Sequence, residues 1–181
     1  MDTNSNSKNN TGILLIGHGS RLPYNKEVVY TLAEKYAETK PDYEIEVGFM
    51  ELAEPNIPTA FNTLKEKGVD RIIVTPVFLA HGMHTKRDIP TILGLEPADV
   101  EAEIAKANGE EHHCHHHDHD HEHGHHHGHG HGHGHGHHHH HHHDEEPQTV
   151  EFDGEIIYTE PLGADDAIVD IITSRIEPHL E

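Results

Sequence analysis

The chain has 181 residues, a formal net charge of −21, one cysteine and 26 histidines. No stretch approaches the roughly 20 apolar residues that span a bilayer, and the Asn/Ser-rich start, Met1 to Asn10, has no apolar h-region for secretion. A single cysteine excludes an intramolecular disulfide framework, and the acidic balance argues against nucleic acid, so a cytoplasmic location is expected.

Of the 26 histidines, 22 fall between His112 and His143, among six glycines, two aspartates, one glutamate and Cys114. Outside this block the apolar content rises to about 40%, ordinary for one domain of about 150 residues. The expected organisation is a leader over 1–11, one α/β domain over 12–108 and 148–181, and a His-rich insert over 109–147. The formal charge counts imidazoles as neutral. At a reference pKa of about 6.5 they would add roughly six positive charges at pH 7, so the chain is unusually pH-sensitive near neutrality.

In chain order, GILLIG (12–17) is a continuous apolar run ending in glycine, the pattern of a buried parallel strand. Residues 26–39 repeat apolar positions at helical spacing, closed by Pro41. Tyr43, Ile45, Val47 and Phe49 alternate as in a half-buried strand. A helix over about 56–67 follows, with Pro58 in its first turn and Gly68 at its stop. RIIVTPVFL (71–79) is a strand in which Pro76 implies an edge or an exit. A loop over 81–87 precedes a helix from Asp88, its expected N-cap, to about Leu93. Residues 96–108 are Ala/Glu-rich and helical in character but lack a core face. After the block come a strand over 154–159 and an amphipathic helix over 165–177. Alternating β and α elements predict a short, mostly parallel sheet flanked by helices.

Ligands in such sheets sit beyond the carboxyl ends of the strands, which directs attention to the loops after the first and third. In the first loop, Gly17-His18-Gly19-Ser20-Arg21, glycines flank His18 and permit a close ligand approach. A phosphate cradle is open there, although neither GxxxxGK[ST] nor GxGxxG is present. A nucleophile elbow would need GxSxG, and Ser20 lies outside the glycines. The second loop carries His81 and His84, three apart. If the first and third strands are neighbours, His18 approaches them, and two or three imidazoles suit Ni²⁺, Co²⁺ or Zn²⁺. No nearby carboxylate or thiol is expected to close the site, and an incomplete shell suits catalysis or transfer.

GILLIGHGSR, FMELAEPNIP, PVFLAHGMHTKRDIP and EPLGADDAIVDII resemble the small archaeal sirohydrochlorin chelatases, over about 12–95 and 155–175. The resemblance implies a chelatase-like three-layer α/β fold and a homodimer with active sites near its interface. It implies Ni²⁺ or Co²⁺ as metal substrate with no permanent cofactor, and sirohydrochlorin, an octacarboxylate tetrapyrrole, as partner. Residue by residue, it implies that His18 is a metal ligand and the proton acceptor, that His84 is the second ligand, and that Glu54 contacts substrate. Leu79, Ala80, His81, Gly82, Met83 and His84 would line the tetrapyrrole pocket. The product would feed the nickel coenzyme of methanogenesis or cobalamin.

Metal insertion exchanges two pyrrole protons for one divalent ion. Neutral imidazoles can desolvate and hold the ion, and an imidazole titrating near neutrality can take a proton. His18 cannot ligate and accept a proton on the same nitrogen at once, so its roles are sequential or another base such as Glu54 or water serves. An acidic protein binding a polycarboxylate needs local cations, and Arg21, Lys86 and Arg87 flank the two loops. The block lacks apolar residues and cannot bury a core, so it is expected to be disordered and to act as a reservoir raising local metal concentration. Two rivals remain: nickel or cobalt storage or delivery without turnover, and a histidine phosphatase using His18. The latter chemistry wants arginine before the histidine, where Gly17 stands.

Overall fold

A computed structural model describes residues 10–109 and 148–180 of the chain. Its four-stranded sheet is parallel throughout, in the order β2-β1-β3-β4. The strands are β1 Thr11–Gly17, β2 Glu44–Phe49, β3 Arg71–Pro76 and β4 Glu155–Tyr158. The helices are α1 Tyr24–Thr39, α2 Ile57–Glu66, α3 Ile89–Ile92, α4 Val100–Ala107 and α5 Asp166–Ile176. The predicted α/β class and parallel sheet are therefore present.

β1 lies between β2 and β3, and helices cover both of its faces, Leu14 and Ile16 packing on one side and Leu15 on the other, which explains why its sequence is apolar without alternation. On one face Leu14, Ile16, Ile72 and Val74 pack with Ile57, Ala60, Phe61 and Leu64 of α2 and with Ile89 of α3. On the other, Val47 and Phe49 pack with Val29 and Ala33 of α1. The three-layer arrangement follows directly from these two clusters.

Local chemistry sets most boundaries. The Asn56 side chain accepts a hydrogen bond from the Thr59 amide at 2.9 Å, and Asp165 does the same for Ala167 at 2.9 Å, so both helices start on caps of the favoured type. Gly68, at φ 78°, supplies the left-handed turn after α2.

Four expectations change. β3 ends at Pro76 rather than Leu79, and it is an interior strand; proline marks an exit there, while the Val77 amide makes the last bond to the Ile16 carbonyl at 2.8 Å. Asp88 is not an N-cap: a five-residue π-helical turn, His84–Asp88, runs straight into α3, Asp88 is itself helical, and its side chain makes no capping bond. α5 forms where expected, but none of its residues is buried, and Val169, Ile171, Ile172 and Ile176 are each about half exposed. α4 begins four residues later than anticipated and likewise buries nothing. The expected leader over 1–11 and insert over 109–147 fall almost wholly outside the described residues.

Candidate metal site

Each of the first three strands delivers one group to the same end of the sheet. β1 ends at Gly17, so His18 is the first residue beyond it. Gly17 pairs in register with Phe49 at the end of β2, which places Glu51 two residues past that strand. The amides of Met50 and Glu51 extend the pairing by donating to the carbonyls of Gly17 and His18, both at 3.1 Å. Gly19 permits this close approach: it sits at φ 90°, and a Cβ there would lie 1.8 Å from the Glu51 carbonyl oxygen. The chain leaving β3 reaches His84 through Phe78 and the loop after it.

The imidazoles of His18 and His84 meet edge to face, with ring centroids 5.0 Å apart. The Glu51 carboxylate lies 3.8 Å from His18 Nε2. One ligand atom from each of His18, Glu51 and His84 falls within 4.8 Å of the other two, a spacing that can hold one divalent ion. Phe78 stacks obliquely beside His18 at 5.9 Å, giving the group an apolar wall. His18 and Glu51 are nearly half exposed, so the cluster opens to solvent on one side. The donor set of two imidazoles and one carboxylate suits borderline first-row ions, and three protein ligands leave positions open.

The remaining partners sort the histidines. His18 Nδ1–H donates to the Gly19 carbonyl at 3.1 Å. His84 Nδ1–H donates to Asp88 Oδ2 at 2.7 Å, and Arg87 Nε donates to the other oxygen, Oδ1, at 2.8 Å. Burial pushes the Asp88 carboxyl up, but hydrogen bonds from Arg87 and His84 outweigh it and hold it below the ordinary carboxylate value. His81 is not a member of the cluster. Its Nε2 pairs with Glu160, beyond β4, and its Nδ1 lies 3.3 Å from Thr85 Oγ1.

Thr85 is the buried pin of this loop. Its hydroxyl accepts from the Gly82 amide at 2.8 Å, and its own carbonyl accepts from Tyr158 Oη at 2.9 Å. Burial pushes the Tyr158 phenol up to about 12, with the Glu160 charge adding to the effect. An apolar depression of about 560 Å³ lies beside the loop, lined by Leu79, Ala80, Pro161, Ile168 and Val169, with His81 and Glu160 also on its wall.

The structure thus brings together His18 and His84 and separates His81 from them. Glu54 is not in the cluster; its carboxylate accepts from the Asn56 amide at 2.9 Å, in the turn before α2. Arg21 is exposed after the first loop, Lys86 lies within the π-turn, and Arg87 is engaged by Asp88. Glu51 is a carboxylate beside the histidines that the sequence reading did not single out, and with it the group offers three ligands rather than a closed set of four. The same strand-end rule that found the two histidine loops would have found Glu51 after β2, had the neighbour of β1 been known.

These features define an α/β protein with an open imidazole–carboxylate site at the carboxyl edge of a parallel sheet. The chain belongs to the CbiX family, which it matches over residues 12–179. It is 50% identical over 177 residues to the sirohydrochlorin cobaltochelatase of Methanothermobacter thermautotrophicus, covering 98% of each chain. The corresponding protein of Methanopyrus kandleri is 48% identical over 169 residues, covering 93% of this chain and 96% of its own. The fold is shared with the cobalt complex of the Bacillus subtilis sirohydrochlorin chelatase SirB at TM-score 0.53 and 22% identity; 93% of this chain spans half of that one. It is shared too with a CbiX protein of Marinobacter aquaeolei at TM-score 0.51 and 23% identity, covering 93% of this chain and 98% of that one.

Proposed function

We propose that this protein inserts a divalent metal into sirohydrochlorin, releasing two protons. The observation that carries the reading is the convergence of His18, Glu51 and His84 from three strand ends; close relatives bearing the cobaltochelatase name support the substrate and cobalt. His18 and His84 would hold the ion through Nε2, because Nδ1 of each is already donated to an acceptor. Glu51 would be the third ligand, offsetting one metal charge. It also relieves the conflict at His18: with a carboxylate 3.8 Å away, a pyrrole proton can pass to Glu51 while the imidazole stays on the metal, or to His18 once the metal has left it.

The macrocycle would lie against the segment from Leu79 to His84, with the apolar depression receiving part of its ring face. Glu54 is proposed as a substrate contact at the rim, and Arg21, Lys86 and Arg87 as contacts to peripheral carboxylates. Nickel is proposed as the physiological ion with cobalt also accepted, on the strength of the His-rich block. That block lies outside the described residues, and its proposed role is as a metal reservoir. A homodimer is proposed as the working form; the half-exposed apolar side chains of α5, next to the depression, support it.

The test is to mix protein, sirohydrochlorin and Co²⁺ or Ni²⁺ anaerobically and follow the tetrapyrrole absorbance. His18→Ala and His84→Ala should each abolish acceleration over the uncatalysed rate. If both variants retain it, the site is wrong; if the wild type binds metal stoichiometrically without turnover, storage or delivery replaces catalysis.

A further inference from the structure

Three histidines near this end of the sheet differ in which ring nitrogen is occupied. In neutral imidazole one nitrogen carries the proton and the other the lone pair, and the hydrogen bond made by the first decides what the second can do. His18 and His84 each give Nδ1–H to an oxygen acceptor, so the lone pair is on Nε2. His81 is the reverse, with Nε2 spent on Glu160. The two histidines of the His18–Glu51–His84 cluster are the two whose Nε2 makes no hydrogen bond, His18 Nε2 having only the Glu51 carboxylate at 3.8 Å.

The acceptors are unequal. His18 has the neutral carbonyl of Gly19, whereas His84 has a carboxylate. That carboxylate is itself fixed: Arg87 Nε holds Oδ1 at 2.8 Å, leaving Oδ2 for His84 at 2.7 Å. His84 and Asp88 open and close the π-helical turn, so they face each other across a single turn of backbone. Buried Ile89 and Pro90 anchor the turn where it enters α3.

We infer that Asp88 is a positioning residue for the metal. It holds His84 in the tautomer that presents Nε2, fixes the ring's direction toward His18 and Glu51, and strengthens the imidazole as a donor. The inference rests on His84 being a metal ligand, as proposed above. It gives Arg87 a second role, orienting Asp88, beside any contact with substrate carboxylates.

Asp88→Asn is the informative variant because it keeps the shape. Arg87 donates to one position of the side chain and His84 to the other, so an amide can satisfy only one of them. If its oxygen stays with Arg87, its NH₂ faces His84 and selects the tautomer with Nε2 protonated. A role in shape or packing alone predicts that Asn is tolerated; a tautomer-setting role predicts that it is not.

The experiment uses the full-length metal-free protein. Long-range ¹H–¹⁵N NMR reads the tautomer of His84, whose signals are identified by their loss in His84→Ala. The wild type should show Nδ1–H, the minor form of free imidazole, and Asp88→Asn and Asp88→Ala should lose it. In turnover, the KM for Co²⁺ should rise by about 10- to 100-fold in both variants, with kcat less affected. Wild-type tautomer and wild-type KM in both Asp88→Asn and Asp88→Ala would overturn the inference. The underlying reading fails separately: if His84→Ala still accelerates insertion, His84 is not the ligand, whatever Asp88 does.

Discussion

Glu51 has a half-exposed side chain two residues past β2, and nothing in its immediate neighbours marks it as a ligand. Its significance comes from the carboxylate's distance of 3.8 Å from His18 Nε2 and from a ligand-sized gap shared with His84. Glu51→Gln keeps the shape and removes both charge and basicity. Insertion should slow by about 10²- to 10⁴-fold, the usual worth of a positioned base. Anaerobic turnover at saturating Co²⁺ measures this, and an unchanged rate would return the proton to His18 or to water. At the same scale, His81→Ala should leave metal use intact, since that imidazole is paired with Glu160 and is not a member of the cluster, and should act through the tetrapyrrole KM instead. A rise in the KM for metal would put His81 back among the ligands.

The elements supply rigidity that single residues cannot. The turn after β1 depends on Gly19, where any Cβ would lie 1.8 Å from the Glu51 carbonyl oxygen and the backbone is at φ 90°. Gly19→Ala combines a backbone clash with an unfavourable conformation, so it should destabilise the fold by more than about 3 kcal/mol, among the larger single-substitution effects. Urea unfolding would show it as a lowered midpoint. β4 holds the π-turn through Tyr158, whose hydroxyl donates to the Thr85 carbonyl at 2.9 Å. Tyr158→Phe should cost about 0.5–1.5 kcal/mol. The phenol's raised value of about 12 also sets a pH window. The unfolded chain ionises near the ordinary tyrosine value while the folded one resists, so this contribution is intact below about pH 10 and lost as pH rises toward 12. Unfolding followed across that range should show a steeper alkaline loss in the wild type than in Tyr158→Phe.

Over the whole molecule, the His-rich block sits between α4 and β4 in sequence, with His84 before it and, after it, Tyr158, which holds the π-turn, and Glu160, which pairs with His81. A reservoir role for the block predicts that deleting His112–His143 leaves insertion intact at saturating metal and slows it when metal is limiting. Equal rates for both proteins at limiting metal would rule out the reservoir. How much of this was legible beforehand follows from the range of each interaction. The order of elements, the strand character of β1 and the positions of His18 and His84 beyond strands all rest on contacts within a few residues, and periodicity reports those. The glycine-flanked histidine loop and the longer motifs also carried the family. Glu51, the Asp88 hydrogen bond and the pairing of His81 with Glu160 were not legible. The first depends on β2 lying beside β1, the second on a π-turn where a cap was expected, and the third on a strand reached only after the insert. The sequence by itself determined that His18 and His84 lie in the segments that follow β1 and β3, because local pattern decides which stretches are strands. Only the tertiary structure decided which carboxylate faces which imidazole, because that is set by strand order and register across long chain separations.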